Sequence, residues 1–173
     1  MHGKKARFVS RIVLALAVVF GLAVVASQSA HAQTYTVVHF FTGPPDGSSP
    51  EADMIMDPDG VLYGTTNQGG SFDEGTVFKV DTSGTETVLH SFGYSDGAFP
   101  ESGLLRDKAG NLYGTTSEGG VSGYGTVYKL SESGTLSVLH SFAGYPSDGA
   151  NPDRGLVRDC LLYTSDAADD LTR

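Results

Sequence analysis

The chain has 173 residues, with 11 Lys and Arg against 20 Asp and Glu for a formal charge of −9, 39% hydrophobic residues, 23 glycines, 7 prolines, one cysteine and no tryptophan. That composition supplies enough apolar side chains for a core and excludes a collagen, a coiled coil or a disordered acidic tail. Without a basic stripe to neutralise phosphates, nucleic acid is excluded as a partner, and the lone Cys160 excludes an internal disulfide framework and every multi-cysteine metal site.

Residues 1–32 have the three-part layout of a secretory signal: Lys4, Lys5, Arg7 and Arg11, an apolar run from Ile12 to Ala26, then small and polar residues ending in Ala30-His31-Ala32. Cleavage is expected after Ala32, which makes the mature chain secreted or cell-surface and not inserted in a membrane. The rival reading is an uncleaved anchor, but the apolar run falls short of the roughly 20 residues that span a bilayer. Removing the leader takes four basic residues and no acid, so the formal charge falls from −9 to −13. Such a surface favours solubility and disfavours anionic partners.

Beyond the leader the sequence repeats itself at an interval of 50 residues. Leu62-Tyr63-Gly64-Thr65-Thr66 returns at Leu112-Tyr113-Gly114-Thr115-Thr116, and Gly75-Thr76-Val77-Phe78-Lys79-Val80 at Gly125-Thr126-Val127-Tyr128-Lys129-Leu130. Val88-Leu89-His90-Ser91-Phe92 returns at Val138-Leu139-His140-Ser141-Phe142, with a degenerate first copy at Val37-Val38-His39-Phe40-Phe41. The repeats cover 33–159, in units of about 36–86, 87–136 and a partial 137–159.

The segments within a unit are short, rich in β-branched and aromatic residues, and bounded by turn chemistry, which predicts strands. For the second unit these are about Thr87 to Phe92, Gly103 to Asp107, Leu112 to Thr116 and Thr126 to Leu130. The last should place Thr126, Tyr128 and Leu130 on one face and Val127 and Lys129 on the other. Asp57-Pro58-Asp59-Gly60, Asp107-Lys108-Ala109-Gly110, Asp81-Thr82-Ser83-Gly84 and Ser131-Glu132-Ser133-Gly134 each predict a type I turn closed by a left-handed glycine. The fold class is therefore all-β, with four-stranded antiparallel units of about 50 residues. A partial β-propeller is preferred to a solenoid, whose coils are shorter and lack hairpins. Two complete units cannot close a ring, so further blades are expected as partners. After Asp159 the pattern breaks at Cys160, and 160–173 reads as an anomalous tail from a truncated or chimeric frame, against the alternative of a divergent natural terminus.

These motifs, in this order and spacing over about residues 36–159, resemble the tandem repeat called GloVer. The resemblance implies exported bacterial proteins with varied C-terminal anchors, and it brings no catalytic residue to carry over.

Candidate chemistry is sparse. His39, His90 and His140 recur at one strand position and could meet on a metal only inside a narrow channel, so structural, hydrogen-bonded histidines are expected. Asp57, Asp59 and Gly60 faintly resemble a calcium loop, but Ala109 replaces Asp59 in the next unit, which favours a turn. Ser71-Phe72-Asp73-Glu74-Gly75 resembles the start of an Asp-box and reads as a surface turn. Glu74, Glu101 and Glu118 are the acids a glycosidase would need, and read as solvated loop residues. Tyr63 and Tyr113 could stack on a sugar but are expected in packing. No catalytic, cofactor-binding or metal-binding residue is assigned and no cofactor is implied. The expected function is a binding or structural module for an extracellular glycan or protein. The alternative is part of a carbohydrate-active propeller enzyme.

Overall fold

In the computed structural model, residues 35–157 are described. The expected leader, Cys160 and the 160–173 tail lie outside the described residues. Among the described residues there are ten strands and no helix. Strands β2 (Ile55–Met56), β3 (Leu62–Thr66), β5 (Thr76–Val80) and β6 (Glu86–Ser91) form one antiparallel sheet in the order β2-β3-β5-β6. Strands β7 (Leu105–Arg106), β8 (Leu112–Thr116), β9 (Thr126–Leu130) and β10 (Leu136–Ser141) form a second in the order β7-β8-β9-β10. A short pair joins β1 (Gly47–Ser48) to β4 (Gln68–Gly69).

The hairpins follow from the turn residues. In all four, the glycine N–H donates to the carbonyl of the residue that opens the turn at 2.9–3.1 Å, and the opener's N–H donates to the carbonyl just beyond the glycine. Gly60 adopts φ +84°, the left-handed conformation the pattern anticipates. The strands Leu112–Thr116 and Thr126–Leu130 fall where the pattern puts them, and Thr126, Tyr128 and Leu130 are buried on one face. The expected strand from Gly103 to Asp107 shrinks to Leu105–Arg106.

The phase of the sheets differs from that of the repeat units. Glu86–Ser91 was expected to open the second unit, yet it closes the first sheet, and Leu136–Ser141 closes the second. The tight turn at Asp81–Thr85 obliges β6 to lie beside β5, whereas the longer stretch from Phe92 to Leu104 crosses to the next sheet. That crossover is fastened to both sheets. Phe99 N–H donates to the Glu74 carbonyl at 2.9 Å, Thr65 Oγ1 donates to the Ser102 carbonyl at 3.3 Å, and Ser117 N–H donates to the Phe99 carbonyl at 3.1 Å. In addition, the hydroxyls of Ser102 and Thr115 share a hydrogen bond at 2.8 Å.

The core is the seam between the sheets. Val77 and Phe92 from the first pack with Leu104, Leu112, Tyr128 and Leu130 of the second, flanked by Ile55, Tyr63, Leu89 and Leu136. Phe92 meets Tyr128 edge-on at 5.1 Å. One repeat earlier, Phe41 meets Phe78 edge-on at 5.0 Å, although residues 37–42 form no strand. Gly64 and Gly114 each make room for the aromatic ring of their partner on the adjacent strand: a Cβ would stand 2.8 Å from Phe78 Cζ or 2.7 Å from Tyr128 Cζ.

Candidate functional site

The turn end of the sheets is structural. Asp57 Oδ1 accepts the N–H groups of Asp59 and Val61 at 3.0 Å, and its Oδ2 accepts the Tyr63 hydroxyl at 3.2 Å. Asp107 repeats this with Ala109, Asn111 and Tyr113. Both carboxylates cap their own turns, as the turn reading anticipates. Tyr63 and Tyr113 are held the same way. The Tyr63 ring also lies 5.1 Å below the Arg106 guanidinium, whose Nη2 is 3.9 Å from Asp57 Oδ2, a contact between the two sheets.

These bonds predict an acid response. The Val61 N–H bond, with Tyr63, Asp59 and the Arg106 charge, outweighs burial and holds Asp57 below the usual carboxylate value. Burial pushes Asp107 up, but Asn111, Tyr113 and Ala109 together hold it below 3.8. A carboxylate depressed in the folded state contributes stability that is fully present above its unfolded value and is lost as pH falls through the folded one. Denaturation midpoints taken from about pH 6 to about pH 3 should therefore drop steeply below 3.8. Asp107→Asn should be less stable at neutral pH with a shallower acid decline. Parallel curves for the variant and the parent would refute the assignment.

At the opposite end each histidine meets an aspartate of its own crossover. His90 Nε2 is 3.0 Å from Asp96 Oδ2, and His140 Nε2 is 2.9 Å from Asp148 Oδ2. His39 Nε2 stands 3.6 Å from Asp46 Oδ2. Every histidine also sits edge-on to the phenylalanine two residues along, at 4.8–4.9 Å. His90 and His140 are thus each hydrogen-bonded within their own unit, as structural histidines are, while His39 is not.

The Asp-box-like segment is a surface turn: Ser71, Phe72 and Asp73 are exposed, and Asp73 Oδ1 caps the Gly69 N–H at 2.9 Å. The glutamates separate in character. Glu101 is exposed and accepts a bond from Asn67 Nδ2 at 3.2 Å. Glu74 differs from the solvated residue expected: its Oε2 is shut off from solvent with no hydrogen-bond partner among the described residues. Burial first, then the negative charges of Glu118 and Asp73, push its carboxyl above the ordinary value.

The same end carries a row of exposed aromatics that sequence reasoning missed. Phe72, Tyr94, Tyr124 and Tyr145 are 68%, 48%, 44% and 94% exposed. Phe72 lies against Gly93, Tyr94 against Gly123 and Tyr124 against Gly144, so each ring rests on a glycine of the next loop. The available signal was an aromatic placed beside loop glycines rather than within a strand. Flat rings held on a glycine surface offer stacking faces to a sugar or an apolar side chain.

Sheets of one design, packed in series and followed by segments that reuse the same His-Asp contact, define a tandem β-repeat protein. The chain belongs to the Gloeobacter/Verrucomicrobia repeat family, whose profile matches residues 19–169. A search of the curated proteins finds no match.

Proposed function

We propose that this chain is an exported repeat protein whose sheets stack as successive blades of a propeller, serving at the cell exterior as a binding or structural module. One observation carries the reading: the seam between the sheets joins two different faces, and the outer surfaces repeat those two faces, one left exposed on the second sheet and the other covered on the first only in part, by residues 37–41. In the seam, Ile55, Tyr63, Val77 and Leu89 of the first sheet meet Leu104, Leu112, Tyr128 and Leu130 of the second. The second sheet repeats the first set outward as Leu105, Tyr113, Val127 and Leu139. Val77 is fully buried but Val127 is not, and Leu139 is 56% exposed. The first sheet repeats the second set outward around an apolar groove of about 220 Å³ lined by Val38, Met54, Leu62, Phe78 and Val80.

The two outer faces are complementary to each other and not to themselves, so they call for further sheets of this repeat, added in series. Export rests on the leader-like residues 1–32, and the aromatic row supports an extracellular glycan or protein ligand. The competing reading, a carbohydrate-active enzyme, draws on Glu74 alone. Sedimentation velocity tests the stacking. The chain should self-associate with rising concentration, and Val127→Lys should return it to a monomer. A monomer that protects the amides of both outer faces from exchange would overturn the proposal.

A further inference from the structure

His39, Asp46 and Glu86 bring one donor atom each to within 4.8 Å of one another, outside the turn carboxylates and the aromatic row. The segment 37–46 before β1 supplies two of them, and the start of β6 supplies the third. Two of the three donors are orphaned: His39 Nε2 and Glu86 Oε1 are closed to solvent and have no hydrogen-bond partner among the described residues. Asp46 is anchored by its other contacts. Its Oδ2 accepts the Thr42 N–H at 2.9 Å and the Thr42 hydroxyl at 3.2 Å, and its Oδ1 accepts the Gly47 N–H at 2.6 Å.

The repeat supplies an internal control. Beside His90, where the next repeat has no such glutamate, the histidine closes on its aspartate at 3.0 Å. The position equivalent to Glu86 is Leu136, which packs against the core. Only beside Glu86 does the His-Asp contact stand open, at 3.6 Å.

We propose that His39 Nε2, Asp46 and Glu86 bind a borderline divalent cation, zinc being the representative. One imidazole nitrogen with two carboxylates is a donor set such ions accept, whereas all-oxygen sets suit magnesium and calcium. Zinc ligands lie at about 2.0–2.2 Å from the ion and hence about 3.4 Å from one another, so small side-chain rotations close the present cluster. An open groove of about 610 Å³, lined in part by Pro45, Asp46, Glu86 and His90, gives access for the ion and for a fourth ligand. A bound ion would tie the segment 37–46 to the outer strand of the first sheet.

Calorimetric titration of the chain with zinc alone, with no affinity tag, tests this. The parent should take one equivalent. Glu86→Leu, which installs the residue the next repeat uses, should weaken binding by more than about 100-fold, beyond what loss of an outer-shell contact costs. Should that variant fail to fold, Glu86→Gln and His39→Asn must show the same loss with an unchanged circular dichroism spectrum. His140→Asn should bind as the parent does. Absence of stoichiometric binding in the parent, retention of it in the Glu86 variants, or its loss in His140→Asn overturns the proposal.

Discussion

Phe92→Ala is expected to destabilise the protein by about 3–5 kcal/mol, the range for truncating a fully buried aromatic. Phe92 has no exposed surface, its ring meets Tyr128 at 5.1 Å and His90 at 4.9 Å, and its N–H is fixed to the Gly75 carbonyl at 3.0 Å. It comes from the end of the first sheet but fills the core beside the second, so its loss opens the seam rather than either sheet. Phe142 is the matched comparison. It keeps the edge-on contact with its own histidine, at 4.8 Å, but is only half-buried. Phe142→Ala should therefore cost about 1 kcal/mol, in proportion to the smaller area it removes from water. Urea unfolding followed by circular dichroism gives both values. Equal shifts for the two variants would mean that sheet stacking is not what holds the fold together.

That comparison also shows where the sequence was legible. Strand and turn positions were, because each depends on a few consecutive residues: alternation places Tyr128 inward, and a glycine four residues into a turn must go left-handed. The structural role of His90 and His140 was legible for a similar reason, since each finds its aspartate six or eight residues along the same chain. The grouping of strands was not. A repeat at 50-residue spacing has no natural starting point, and choosing one at Thr87 hides the fact that a hairpin binds Glu86–Ser91 backward to β5.

The candidate sites were hidden for a different reason. Glu86 lies 47 positions from His39, and only packing of the outer strand against the segment before β1 brings them together. Its trace in the sequence was a mismatch, Glu86 against Leu136, in an otherwise matching register. A departure from the repeat carries local information that the repeat itself does not. Glu74, opposite Tyr124 in the same register, is a second such departure, and it too sits partly buried with a displaced pKa.

Gly119→Ala should cost about 2–5 kcal/mol, because two penalties coincide. Gly119 adopts φ +77°, where an alanine costs about 1–2 kcal/mol. Its Cβ would also stand 2.5 Å from the Tyr94 carbonyl oxygen, 2.7 Å from the Gly97 carbonyl carbon and 2.9 Å from the Ala98 nitrogen. All three are backbone atoms of the crossover, and none can rotate away as a side-chain tip can, so the clash adds an overpacking cost of about 1–3 kcal/mol or more. Relief requires lifting the crossover off the second sheet. That breaks the paired bonds between Ala98 and Glu118, 2.9 and 3.1 Å, and the Gly120 N–H bond to the Tyr94 carbonyl at 2.8 Å. Gly134→Ala separates the two penalties, because Gly134 has φ +86° but no atom within 4 Å of the added carbon. It should lose only the conformational share, about 1–2 kcal/mol. If the two alanines prove equally costly in denaturant titrations, the crossover does not press on the second sheet. If Gly119→Ala also loosens exchange at Val77 and Thr65, the crossover transmits strain to both sheets, as its bonds to Glu74 and Thr65 require.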